Sequence, residues 1–258
     1  MSLPQSTLAT TEDHFLDGRL RLLQPKSGHR AGLDAVMLAA AVEVTGPAKV
    51  LDAGAGSGIV GLALAARVAE VSVTGIEIEP ELARLANENA LRNGLAGRVR
   101  VVCADLTAPH AALEALGLAR ESFDIIVSNP PYLEAAASRA SPFPLQARAS
   151  TMPEHGLDRW ARCFATLARA DARLTLIHRA DQLKVILDAL DGRFGGLQIW
   201  PLHPRTGEAA HRVLIRGYKG SRAPMQLFPG LVLHLPDSTF APEVERVMRG
   251  PVALVWPS

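Results

Sequence analysis

Several things are scarce in this chain, and each scarcity narrows what it can do. Two cysteines in 258 residues, Cys103 and Cys163, are too few for a disulfide framework or a cysteine-ligated zinc site, and they read as two buried thiols. Aromatic residues make up 5% and the formal net charge is only +1, so no global basic field announces a nucleic-acid binder. Any basic surface must be local. No apolar run approaches the roughly 18 residues of a membrane span, and the start does not read as a secretory signal. We therefore expect a soluble, cytoplasmic protein with no membrane partner. There is no internal repeat and no low-complexity tract. What the chain does have is apolar residues, at 48%, enough for one large α/β domain with small additions.

The hydrophobic pattern supplies the order of elements. Residues 1–13 read as a flexible leader, Phe15 to Gln24 as a β-hairpin around Gly18, and Leu33 to Val44 as a covering helix ended by Gly46-Pro47. From Lys49 onward strands and helices alternate. The strands are Lys49–Ala53, Val71–Ile78, Val99–Ala104, Phe123–Val127 and Arg173–His178. The helices are Ser57–Val68, Glu81–Arg92, Pro109–Leu118, Pro153–Arg169 and Asp181–Leu190. Leu197–Leu202 and Arg212–Tyr218 have no long helix between them and should pair antiparallel. Leu231–Leu235 and Glu243–Met248 read as a further strand and a short helix. This rhythm predicts an α/β fold with a doubly wound, mostly parallel seven-stranded sheet. It divides into an N-terminal hairpin and helix (1–46), a core (47–220) and a C-terminal extension packed on the core (221–258).

Phe123-Asp-Ile-Ile-Val-Ser-Asn-Pro-Pro-Tyr132 carries the most chemistry. Its apolar, β-branched start reads as a central strand buried on both faces. Pro130 and Pro131 cannot donate ladder hydrogen bonds, and Pro130 pushes Asn129 out of the helical region. A rigid extended turn results at the carboxyl end of the strand, where open α/β sheets place ligands. Asn129 offers an amide oxygen, Pro130 a carbonyl, and Tyr132 a flat aromatic face. Two acceptors gripping the N–H bonds of a planar, conjugated amino group could turn its lone pair toward an electrophile, while Tyr132 stacks on the attached π-system. Standing alone, Asn-Pro-Pro-Tyr could equally be a loop terminator with a core tyrosine. Here it follows a buried strand and lies downstream of a glycine loop.

That loop is Asp52-Ala-Gly-Ala-Gly-Ser-Gly58, running from a strand into a helix. A dinucleotide fingerprint, G-x-G-x-x-G, would need its third glycine where Ile59 stands. The spacing is instead G-x-G-x-G, with an acid ahead of it that suits an ammonium group better than a phosphate. Gly54, Ala55, Gly56 and Gly58 with Asp52 therefore fit a ligand carrying an amino acid, and S-adenosylmethionine is such a ligand. Glu77, followed by Ile78, ends the next strand, where a carboxylate can accept both ribose hydroxyls. Asp105 ends the third and could accept the adenine amino group while Leu106 packs on the ring. Taken singly, Glu77 and Asp105 could be ordinary caps or loop acids. No metal is called for, and His155 and His178 read as polar residues outside the chemistry.

With these motifs in order, the chain resembles class I S-adenosylmethionine-dependent amino-methyltransferases over about residues 48–218. It is most similar to the family that methylates N6 of the adenine beside the anticodon of a bacterial valine tRNA. The front end carries that likeness: Leu23-Gln-Pro-Lys-Ser-Gly-His-Arg30 and Gly32-Leu-Asp-Ala-Val-Met-Leu-Ala39 look like the family's Q-P-K-x-G-x-R segment and D-x-V-x-L-A-A helix. The resemblance implies that Gly32, Leu33 and Asp34 neighbour the cofactor, and that Asn129, Pro130, Pro131 and Tyr132 do the chemistry, Asn129 also meeting the cofactor. It implies an RNA partner, tRNA first, and a monomer or homodimer. Arg139–Met152 and the tail after Gly220 depart from the family pattern, and both bear on substrate choice.

The motif is shared with enzymes that methylate protein glutamine or rRNA guanine N2, which remain alternatives, as does a non-catalytic RNA-binding module. Candidate RNA contacts are Arg212, Arg216, Lys219 and Arg222, inside an acid-free stretch from Ala209 to Pro236. To these we add Lys26 and Arg30, and Arg139 and Arg148 in the loop after the motif.

Overall fold

The computed structural model describes residues 8–27, 30–131 and 156–257. An N-terminal hairpin pairs β1 (Thr10–Phe15) with β2 (Leu20–Pro25). The leader expected over residues 1–13 is thus strand from Thr10, where Thr10–Asp13 bond to Leu22–Pro25. The alternation that follows is α1 (Leu33–Ala41), β3 (Ala48–Ala53), α2 (Ile59–Arg67), β4 (Val71–Glu77), α3 (Pro80–Arg92), β5 (Val99–Cys103), α4 (His110–Glu114) and β6 (Phe123–Ser128). Then come α5 (Gly156–Leu167), β7 (Ala168–Arg179), α6 (Leu183–Leu190), β8 (Phe194–His203), β9 (Arg212–Lys219), β10 (Gln226–Leu227), β11 (Leu231–Val232) and α7 (Pro242–Arg249).

The main sheet runs β10-β8-β9-β7-β6-β3-β4-β5. β5, β4, β3, β6 and β7 are parallel, and β9 returns antiparallel between β7 and β8, as the missing helix predicted. The sheet has nine strands where seven were expected. The two extra strands come from the C-terminal extension and pair with the outer edge of β8, which covers otherwise open ladder groups.

Apolar side chains on alternating strand positions point to opposite faces. Val50, Ile125, Val127 and Leu214 face α1, α2 and the hairpin; Leu51, Ile126, Leu174 and Ile215 face α5 and α6. α1 runs against the direction of the central strands. Its first-turn Asp34 meets Arg212 at the carboxyl end of the parallel strands. Glu43, just past the helix, meets Arg173 and Arg216 nearer their amino ends. The last carbonyls of α1, which no intrahelical N–H can reach, are met from outside. Arg67 donates to Ala39 and Val42, the Leu254 N–H to Ala40, and Trp256 Nε1 to Ala41. The C-terminal tail thereby holds α1 against the sheet, with the start of α1 at the functional end. Among the described residues, no helix is long and apolar enough to cross a membrane.

Candidate active site

β3 and β6 end side by side. Ala53 pairs with Ser128, and Ser128 Oγ donates to the Ala53 carbonyl at 2.8 Å. Gly54 and Asn129 are therefore the first residues beyond the sheet on adjacent strands. Asn129 is half-buried, and its amide makes no hydrogen bond to another described residue. Pro130 is buried and stiffens the turn. The expected acceptor, unspent, thus stands next to the glycine loop. Tyr132 lies outside the described residues, as do Arg139, Arg148 and His155.

The glycine loop folds back over β4. The Gly54 and Ala55 N–H groups both donate to the Ile76 carbonyl, at 2.9 and 3.0 Å. Gly54, Gly56 and Gly58 have φ of 75°, 56° and 87°, a region that side chains disfavour. Gly75 lets the loop pass: a Cβ there would sit 2.8 Å from Ala55 Cβ and 2.8 Å from Val101 Cγ2. A Cβ on Gly56 or Gly32 would meet nothing within 4 Å, so open space lies over both.

Glu77 holds the loop at its far side. Its Oε2 accepts the Gly56 N–H at 2.8 Å and its Oε1 the Glu79 N–H at 3.0 Å. Burial raises its pKa against the pull of these donors. A carboxylate has about four lone-pair sites, so capacity remains for hydroxyl donors. Ile78 beside it is 52% exposed, an apolar surface of the kind an adenine ring covers. Asp105 is exposed and accepts from the Thr107 N–H and hydroxyl. Leu106, by contrast, is 4% exposed and belongs to the core, so the free apolar face here is Ile78.

Asp52 differs from its expected role. It is 2% exposed, and its Oδ2 accepts the N–H of Gly61 in the first turn of α2 at 3.0 Å. It supports the loop from beneath, meeting the positive end of α2. Burial first, with the Glu77 charge adding, pushes its pKa up to about 7.

Gly32 and Leu33, at the start of α1, line a hollow with the hairpin turn His14–Gly18 and Met248. Gln24, 1% exposed, pairs its amide with both backbone groups of Ala31 and donates to Asp13. The hairpin is in turn bound to α3. Asn89 exchanges bonds with the Leu23 N–H and carbonyl at 2.8 and 3.0 Å, and Asn93 does the same with Arg21 at 3.0 and 2.8 Å. Residues four apart on a helix are about 6 Å apart along its axis, close to the roughly 6.6 Å between alternate strand residues. Two amides can thus stand in for a neighbouring strand. Asn89 Nδ2 also donates to the Ser57 carbonyl at 3.0 Å, joining hairpin and glycine loop through one fully buried side chain. The signal for Asn89 was readable: it interrupts the apolar stripe Leu82, Leu85, Ala86, Ala90 of an amphipathic helix. Trp160 was also missed; its ring lies over Gly54, where a Cβ would come within 2.9 Å of Cη2.

The predicted RNA cations scatter. Arg216 is 6% exposed, bonded to Gln198, paired with Glu43 and stacked 4.4 Å from the Trp256 ring centroid. It is a core residue. Lys219 pairs with Glu121 and the Ala168 carbonyl at the amino end of β6, the opposite end of the sheet from Asn129. Arg222 follows it there and is exposed. Arg212 is at the site end but is held by Asp34, and Arg30 by Asp13 and Thr11. Lys26 is exposed on the loop. Among the described residues these cations form no continuous rim, because a strand of eight residues carries its side chains to both faces and both ends. His178 is 3% exposed, and burial lowers its pKa to about 4. Among the described residues no group of His, Cys, Asp and Glu could hold a metal.

Comparison with known proteins gives the family. A family model described as "Methyltransferase domain" matches residues 50–142. The tRNA1(Val) (adenine(37)-N6)-methyltransferase of Enterobacter sp. is 34% identical over 239 residues, 84% of this chain and 92% of that protein. The protein of the same name from Cronobacter sakazakii is 31% identical over 254 residues, covering 94% and 95%. Among solved structures, a predicted O-methyltransferase from Agrobacterium tumefaciens superposes with a TM-score of 0.72 at 32% identity, covering 86% of this chain and 98% of that one. An S-adenosylmethionine-dependent O-methyltransferase from Thermotoga maritima, at 18% identity and TM-score 0.52, shares the fold. The chain belongs to the tRNA1(Val) (adenine(37)-N6)-methyltransferase family and is an S-adenosylmethionine-dependent methyltransferase.

Proposed function

We propose that this chain methylates the exocyclic N6 of adenine in a tRNA, acting in the cytoplasm on the adenine(37) that its relatives' names specify. The observation that carries the reading is Asn129: an uncommitted amide at the end of β6, one strand over from a glycine loop with open space above it. S-adenosylmethionine supplies an electrophilic methyl on its sulfonium. Gly54–Gly58 and Gly32–Asp34 form its two walls, Glu77 receives the ribose, Ile78 the adenine face, and Asp52 fixes the loop from below.

Asn129 Oδ1 and the Pro130 carbonyl accept the two N–H bonds of the target amine and orient its lone pair. A stacked adenine must leave its neighbours to reach them. The alkylated nitrogen is acidic, so a strong general base is not needed, and orientation with fixed acceptors supplies the rate. Tritiated methyl transfer to unmodified tRNA, rRNA and protein tests the reading directly. Label in N6-methyladenosine of one tRNA species is expected; label in guanine N2 or in protein glutamine would replace the proposal by one of those planar –NH2 acceptors.

A further inference from the structure

On the face of the sheet opposite α1, a cleft of about 290 Å³ lies between α4 and α5. Arg159, Arg162, Cys163 and Thr166 line it from α5, at i, i+3, i+4 and i+7, a single stripe of that helix. Arg120, Thr107 and His110 face them, and none of the lining residues is acidic. Arg120 is exposed and makes no ion pair among the described residues. Arg162 pairs with Asp158 at 2.9 Å yet remains 68% exposed, and Arg159 donates to the Thr107 hydroxyl at 2.8 Å. Both ring nitrogens of His110 are buried without a hydrogen-bond partner, the Glu114 carboxylate standing 3.9 Å away. Burial, and secondarily the Asp105 charge, pushes the Cys163 thiol up to about 12, so it adds no negative charge.

Three guanidiniums meet at one hollow whose lining holds no acid, and the guanidinium fork matches phosphate oxygens two at a time. The cleft is also tied to the site. Thr107 holds Asp105, and Trp160, next to Arg159, lies on Gly54.

We propose that this cleft takes backbone phosphates of the RNA whose base enters at Asn129, with Arg120, Arg159 and Arg162 as the phosphate contacts. The inference rests on the RNA reading of the function. Its test is the Arg120→Gln/Arg162→Gln chain, whose changes are confined to exposed side chains. The KM for tRNA should rise at least tenfold, with kcat and the KM for S-adenosylmethionine unchanged. The slope of log KM against log salt should become shallower by about one per lost phosphate contact. Arg→Lys at both positions should recover most of the affinity.

Wild-type KM and slope in the double variant would overturn the inference. Binding of inorganic phosphate, followed by phosphorus NMR line width, separates the sources: phosphate binding lost with tRNA kinetics intact would assign the cleft to a free anion. If the wild-type chain transfers no methyl to RNA, the functional reading fails by itself. Filter binding of tRNA to both chains then still decides the cleft.

Discussion

Arg212 Nε donates to Asp34 Oδ2 at 2.7 Å, joining residues 178 apart in sequence. The pair fastens the first turn of α1 to the start of β9, near the level where β6 gives way to Asn129. One residue read as a cofactor neighbour and one read as an RNA contact thus serve a common end. Together they fix the first turn of α1 against the sheet.

If Asn129 is the acceptor, Asn129→Ala should lower turnover by two to three orders of magnitude and leave the cofactor dissociation constant within a few-fold. Single-turnover methyl transfer beside calorimetric titration of S-adenosylmethionine makes the comparison. Near-normal turnover would remove Asn129 from the chemistry.

Asn89 couples the hairpin to the glycine loop. Asn89→Ala would leave the Ser57 carbonyl and both backbone groups of Leu23 unpaired, at a cost of about 3 kcal/mol. It should raise the KM for S-adenosylmethionine tenfold or more while kcat at saturation changes little. Asn89→Asp keeps one acceptor, loses the donors and buries a charge, so it should do no better. A drop in melting temperature with an unmoved cofactor KM would reduce Asn89 to a purely structural tie.

Gly54 has two reasons to lack a side chain. Gly54→Ala adds a left-handed penalty of about 1–2 kcal/mol, and its Cβ runs into Trp160. Trp160→Leu in that background should restore the steric part and leave the backbone part. Urea midpoints of the four chains give the coupling, and strict additivity would show that the ring moves aside freely.

Two buried groups set opposite pH trends. Between its ordinary 3.8 and about 7, Asp52 keeps a proton in the native chain that the unfolded chain has released, so stability falls as pH rises, by about 1.4 kcal/mol per unit. Between about 4 and its ordinary 6.5, His178 lacks a proton that the unfolded chain binds, so stability rises with pH at a similar slope. The two offset each other over the shared window. Relative to wild type, Asp52→Asn should gain stability with rising pH there, and His178→Asn should lose it. Denaturant titrations at half-unit pH steps check this; variant curves parallel to wild type would show that neither shift exists.

Periodicity and punctuation determined the parallel core. Buried strands such as Phe123–Ser128 are continuous apolar runs, and the double proline and the glycines that end them act through local backbone sterics that any context preserves. The G-x-G-x-G spacing, the acids closing three strands and Asn129 were legible for that reason.

Tertiary structure decided whatever depends on which face of an element a side chain takes and what meets it there. A row of cations along β9 looks like one surface in sequence, yet Arg212 and Arg216 share the α1 face, where one meets Asp34 and the other is buried under Trp256, while Lys219 takes the other face at the far end. Asp52 reads as a ligand-facing acid until α2 folds over it. The Asn89 and Gln24 amides find their backbone partners only once a hairpin and a helix from distant parts of the chain lie side by side. Long-range packing fixes those partners, and no local rule encodes it.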